Sequence, residues 1–214
     1  MCCRIFFELW IPMERNGVFI CIEGLDGSGK TTHARRLVKD LHRMRLNAEY
    51  TTEPSIGEIG KFVRQWILQG RRRVPSVVEA LLFAIDRVAH VEEEIWPALC
   101  KGRIIVSDRY VYSSLAYQGA TGLDMEWIEA INRFALLPDL AIYIDVPPEV
   151  VVGRLRGTKS VMESLKVQRE VHSVYKGLVE KGTMISVDGN QPIGDVAEAI
   201  STVVLNFLRS SGRC

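Results

Sequence analysis

VFICIEGLDGSGKTTHARRLVKDLHRMRL, residues 18–46, decides how the rest of the chain folds. Val18 to Ile22 is a run rich in β-branched residues and bounded by glycine, the pattern of a buried strand. Gly24-Leu25-Asp26-Gly27-Ser28-Gly29-Lys30-Thr31 then matches G-x-x-x-x-G-K-[ST] at every fixed position. From Lys30 onward, Ala34, Leu37, Val38, Leu41 and His42 recur at helical spacing with charges between them. Strand, glycine turn and helix in this order make an anion cradle. The glycines at 24, 27 and 29 let successive N–H groups turn toward one anion, and the helix start adds the positive end of its dipole. Lys30 would reach β- and γ-phosphates, and the Thr31 hydroxyl would sit on Mg²⁺.

Working outward, the 214 residues suffice for one sizeable core and nothing requires a second domain. Hydrophobic residues at 47% and charged residues at 25% are ordinary globular values. A net charge of +1 gives no general nucleic-acid or membrane signal, so any anion site must be local. No apolar run approaches the ~20 residues of a membrane span. The cysteines, Cys2, Cys3, Cys21, Cys100 and Cys214, contain no C-x-x-C pair, and a reducing cytoplasm is expected. Residues 1–12, MCCRIFFELWIP, precede a second methionine, Met13. They are readable as an extra strand or partner-binding arm, a membrane anchor, or an extension upstream of a start at Met13. The last is the expectation, with residues 13–214 as the single domain.

Strand patterns recur at 48–52, 103–107, 140–146 and 184–187, with helical patterns between them at 57–69, 76–95, 112–118, 124–136, 149–156, 164–181 and 193–209. Ser76 with Glu79 reads as a capping box. Arg71-Arg72-Arg73 reads as a solvated helix end or a phosphate contact. Strands alternating with helices imply an α/β fold, a five-stranded parallel sheet flanked by helices on both faces, with ligands at the strands' C-terminal ends. Gly24, Glu53, Asp108 and Asp145 all fall at such ends. The helix at 76–95, and the one carrying Phe62 and Trp66, are apolar around more of their surface than one sheet can cover. A homodimer is expected.

Asp108-Arg109 follows a buried strand, so a carboxylate that could hold Mg²⁺ and a guanidinium that could clamp a phosphoryl group emerge beside the cradle. Phe83 and Arg87 stand at i,i+4 on one helix, where a ring could stack on a base and a fork could meet its carbonyl; core packing is the alternative for Phe83. Arg64 could reach a monophosphate or be a solvated helix charge. Arg154 and Arg156 stand where a helix runs into the polar, glycine-containing segment 157–163, and two cations there could close over a transferring phosphate.

From Val18 to about Asn206 the chain resembles the thymidylate kinases, P-loop nucleoside monophosphate kinases. The resemblance rests on IEGLDGSGKTT, Glu53-Pro54 with Arg64 eleven residues on, LLFAIDRVAH, DRYVYSSLAYQG and YIDVPPEVVVGR. It implies the three-layer P-loop NTPase fold and transfer of phosphate from ATP to dTMP, giving dTDP for dTTP synthesis, with Mg²⁺. ATP would contact Gly24 through Thr32, with Asp26 beside the phosphates. Phe83 would stack on thymine and Arg87 would bond its carbonyl. Tyr117, Gln118 and Ser114 would line the nucleoside pocket, Glu53 would border it, and Arg64 and Arg109 would hold the monophosphate. Thr31 and Asp108 would serve the metal. The P-loop of this chain holds no arginine, so the catalytic cation would come from a lid near 154–163, Arg154 or Arg156, joining Lys30, Arg109 and Asp26. That lid is short for the family, and Leu165 replaces a usual aromatic. A GTP-hydrolysing switch would carry N-K-x-D, and no such tetrapeptide occurs.

Overall fold

The computed structural model describes residues 15–69, 74–155 and 164–212. Five parallel strands form one sheet: β1 (Val18–Gly24), β2 (Ala48–Thr52), β3 (Ile104–Asp108), β4 (Leu140–Asp145) and β5 (Ile185–Asp188), in the order β2-β3-β1-β4-β5. Every residue of β1 is buried, as a central strand covered on both faces must be. The register is what builds the site. Ile22 lies opposite Asp108 and Thr52 opposite Asp108, so the chain leaves β1, β2 and β3 at one level.

The helices are α1 (Lys30–Arg43), α2 (Glu58–Val63), α3 (Ser76–His90), α4 (Trp96–Cys100), α5 (Val111–Gly119), α6 (Met125–Ile131), α7 (Pro148–Arg154), α8 (Leu165–Glu180) and α9 (Ile193–Ser210). Wider π turns extend α2 through Arg64–Leu68 and join α3 to α4 through Val91–Ile95. The β1-to-β2 crossover runs one way along the sheet, and the β3-to-β4 crossover runs the other way across β1. Right-handed connections then put α1 on one face and α5 on the other. The helix α9 packs with α1, while α3 and α8 pack with α5. The order reverses at β1 and β3, the switch point where ligands of open parallel sheets bind.

Several boundaries differ from the sequence pattern for identifiable reasons. The capping box at Ser76 is not formed. Pro75 takes the N-cap position and its carbonyl accepts the Glu79 N–H at 3.1 Å, so Ser76 is already helical. The helix α6 stops at Ile131 rather than 136, because the Asn132 side chain donates to the Ile128 carbonyl at 2.8 Å. His42 is exposed, and its Nε2 meets the Ala48 carbonyl at 2.6 Å instead of joining the core face of α1. Residues 1–12, Arg71 to Arg73, Arg156 and the segment 157–163 lie outside the described residues.

Candidate active site

The turn after β1 closes on Gly29, whose φ of 94° only glycine adopts without strain and which stands as N-cap of α1. Ser28 N–H bonds the Leu25 carbonyl at 3.1 Å, curling the loop. Lys30 is buried and folded back, its Nζ donating to the same carbonyl at 2.6 Å. Burial, then the Arg109 guanidinium, pull its pKa down to about 8, against the opposing fields of Asp26, Asp108 and Glu23. Thr31 Oγ1 donates to Asp108 Oδ2, which the Tyr50 hydroxyl also reaches at 3.3 Å. Asp108 Oδ1 is buried with no hydrogen-bond partner.

Arg109 adopts φ 73°, a strained conformation for a residue with a side chain. Its N–H bonds the Ile22 carbonyl at 3.1 Å, and the Ser107 hydroxyl donates to the Arg109 carbonyl at 2.7 Å. The guanidinium bonds Asp26 and Ser113 Oγ, the latter at 3.0 Å, and lies 4.9 Å above the centre of the Tyr117 ring. The Asp26 N–H donates to the Tyr117 hydroxyl at 3.0 Å. Burial would raise the Asp26 carboxyl, but Arg109, then Lys30 and the Tyr117 hydroxyl, hold it below the ordinary range.

Behind this cluster sits Glu23, fully buried at the end of β1. It accepts from the Tyr110 N–H at 2.8 Å, from the Ser113 N–H and hydroxyl at 3.2 and 2.6 Å, and from the Tyr175 hydroxyl of α8 at 2.8 Å. Burial pushes its carboxyl up; those donors and Arg109 push it back. Glu23 thereby fixes the start of α5 and the serine that Arg109 leans on.

A second cluster adjoins the first, because the Glu53 N–H bonds the Asp108 carbonyl at 3.1 Å. Arg87 Nε and Nη2 grip Glu53 Oε2 at 3.0 and 2.6 Å, and Nη1 donates to Asn132. Arg87 is 1% exposed and stands 5.3 Å above the Tyr110 ring. Phe83, one turn earlier, is half-buried. Ser114 and Gln118 are buried on α5, and Gln118 Oε1 has no partner. Arg64, at the first π turn after α2, donates to the carbonyls of Ser55 at 3.0 Å and of Pro54.

Asp26, Arg109 and Tyr117 thus share one bonded cluster, Thr31 pairs with Asp108, Lys30 folds back on the Leu25 carbonyl of the same turn, and Glu53, Arg87 and Arg64 gather around the adjoining loop. Arg154, at the end of α7, reaches the Gly27 carbonyl at 3.5 Å, so this lid-side cation borders the cradle. Asp145 does not join: His172 and Lys176 of α8 hold it at 2.9 and 3.0 Å. Glu23 and Asn132 were missed in the sequence. A carboxylate inside the apolar run VFICIEG signals the first, whereas only the packing of α6 against α3 brings Asn132 to Arg87.

A parallel sheet of order 2-3-1-4-5 with a G-x-x-x-x-G-K-[ST] cradle after its central strand defines a P-loop NTPase. A sequence model of the thymidylate kinase family matches residues 22–200. The chain is 43% identical over 200 residues to a probable thymidylate kinase of Pyrococcus abyssi, covering 90% of this chain and 98% of that relative. Identity is 38% over 198 residues to a probable thymidylate kinase of Staphylothermus marinus, covering 91% and 98%. It is 37% over 198 residues to one of Pyrobaculum calidifontis, covering 92% and 100%. The chain belongs to the thymidylate kinase family.

Proposed function

We propose that this chain transfers the γ-phosphoryl group of ATP to dTMP, giving ADP and dTDP. An oxygen of the dTMP phosphate forms the new bond to phosphorus as the bond to the ADP oxygen breaks. The attacking phosphate is already an anion, so alignment and charge neutralisation carry the reaction rather than a strong base. The observation that carries this reading is Arg109, held between Asp26 of the phosphate cradle and Tyr117 of α5. A cation there can address donor and acceptor phosphates together. Lys30 would leave the Leu25 carbonyl for the β- and γ-phosphates, and Arg154 would close from the α7 side. Arg64 would take the acceptor phosphate, Phe83 would lie on the thymine and Arg87 on its carbonyl. The unpartnered Oε1 of Gln118 suits the thymine N3–H, and Ser114 lies one turn before it on the same helix.

The orphaned Asp108 Oδ1 beside the Thr31 hydroxyl offers hard oxygen donors that fit Mg²⁺, an ion that keeps most of its waters. Bound there, Mg²⁺ would neutralise charge on the β- and γ-phosphates. Val77, Leu81, Ile85 and Val88 form an exposed apolar face on α3, near exposed Phe62 and Trp66, which pack 5.3 Å apart. Pairing with a second copy would cover it, making a homodimer. Free Cys21 and Cys100 suit a reducing cytoplasm, and no described helix is long and apolar enough to cross a membrane.

ADP release measured with dTMP, dUMP, dGMP and no acceptor tests the reading. Turnover should be highest with dTMP and negligible with dGMP. Equal rates with dGMP, or without acceptor, would refute it.

A further inference from the structure

Asp86 and Arg87, neighbours on α3, face Glu53-Pro54-Ser55 after β2 as a reciprocal clamp. Arg87 grips Glu53, and Asp86 grips Ser55. Asp86 is fully buried; its Oδ2 accepts the Ser55 N–H at 2.7 Å and its Oδ1 the Ser55 hydroxyl at 2.6 Å. A buried carboxylate served by neutral donors is costly to maintain, and nothing in the phosphate cradle requires it. What it secures is the far side of Ser55. The carbonyls of Ser55 and Pro54 receive the Arg64 guanidinium. The loop is also pinned from α2, since a Cβ on Gly60 would fall 2.0 Å from the Ser55 carbonyl oxygen. Arg64 has five N–H donors and, among the described residues, spends one on each carbonyl, leaving the others for a ligand.

We infer that Asp86 is a positioning residue for the phosphate end of the acceptor: by fixing Ser55 it fixes the two carbonyls that aim Arg64. This rests on the reading of dTMP as acceptor. The base end is held separately, because Arg87 is anchored on Glu53 and Asn132 rather than on Asp86. Loss of Asp86 therefore separates the two ends of the ligand.

The test is calorimetric binding of dTMP and of thymidine, which lacks the phosphate, to wild type, Asp86→Asn, Arg64→Gln and the double variant. Asp86→Asn should weaken dTMP about tenfold, the scale of one displaced charged hydrogen bond, and leave thymidine unchanged within twofold. In the Arg64→Gln background the same substitution should cost little more. Ser55→Ala, which removes the hydroxyl bond to Asp86 and the Oγ that accepts the Gly57 N–H at 3.2 Å, should weaken dTMP about threefold, again sparing thymidine, and provides the test if Asp86→Asn does not fold. Parallel losses for dTMP and thymidine, or an undiminished loss in the double variant, would overturn the role of Asp86. A folded wild type that binds neither ligand would overturn the acceptor reading itself.

Discussion

Lys30 gives the site a pH signature that can be worked out in advance. With a pKa of about 8 in the free protein, it is roughly 75% charged at pH 7.5 and about 3% charged at pH 9.5. Nucleotide phosphates around it favour the charged form, so binding must draw in a proton wherever the free lysine has lost one. If only the charged lysine binds well, ADP affinity falls about 25-fold between pH 7.5 and 9.5. Above pH 8 the nucleotide phosphates are already ionised, and burial pushes the Tyr117, Tyr143 and Tyr175 hydroxyls upward, so they do not titrate in this window. Calorimetry with ADP in two buffers of different ionisation enthalpy should report uptake of about 0.9 proton at pH 9. In Lys30→Met the uptake should vanish and affinity should be weak and flat. Ligand-free stability should run the opposite way. A folded-state pKa below the unfolded value of 10.5 means that the unfolded chain binds more protons from about pH 8 to 10.5, and stability rises with pH there. Wild-type affinity that varies less than twofold over the range, or proton uptake that survives in Lys30→Met, would refute the reasoning.

Arg87→Ala leaves buried Glu53 with only the His90 ring, at 3.4 Å, among the described residues, a loss of about 3–5 kcal/mol, so the melting temperature should fall by about 10 °C or more; adding Glu53→Gln should recover part of it, and a drop under 2 °C would contradict the buried pair. Glu23→Gln puts an amide nitrogen, which only donates, opposite the Ser113 and Tyr175 hydroxyls that now donate to Oε2, so both must turn to accept and the Ser113 contact that seats Arg109 is disturbed. The released Arg109 should lower kcat about tenfold to a hundredfold with ADP affinity nearly unchanged, and an unaltered kcat would disprove the support it gives Arg109. Leu81→Glu puts a charge into the exposed apolar face of α3 and should convert a dimer of about twice 24.1 kDa into monomer in sedimentation; wild type sedimenting as an active monomer would exclude the pairing.

The sheet was legible because its strands are bounded by glycine, proline or charge and its helices carry clear apolar stripes. The phosphate cradle was legible for a different reason: its chemistry needs fixed residue types at fixed spacing. What the sequence concealed is mutual engagement. Nothing local indicates that Arg87 is spent on Glu53, that Asp26 neutralises Arg109, or that Asp145 is taken by Lys176 and His172. These partners lie far apart along the chain and meet only through the register of β1, β2 and β3 or the packing of α8. The capping box at Ser76 failed for a local reason, since Pro75 can begin the helix one residue earlier. Of the two lid-side arginines, Arg154 borders the cradle, and Arg156 lies outside the described residues.

Arg64 differs from Arg87 and Arg109 in its electrical company. Arg87 and Arg109 face carboxylates, whereas the partners of Arg64 among the described residues are uncharged carbonyls. Its field therefore reaches into solvent before any ligand arrives. A doubly charged monophosphate would be drawn in along that field, so its encounter rate should fall as ionic strength rises and the screening length contracts toward about 8 Å. In the proposed reading the choice between bases would rest on Arg87, already neutralised by Glu53, and should be indifferent to salt. Speed of capture and fidelity of choice would thus be carried by different arginines, and salt concentration alone should vary the first without touching the second.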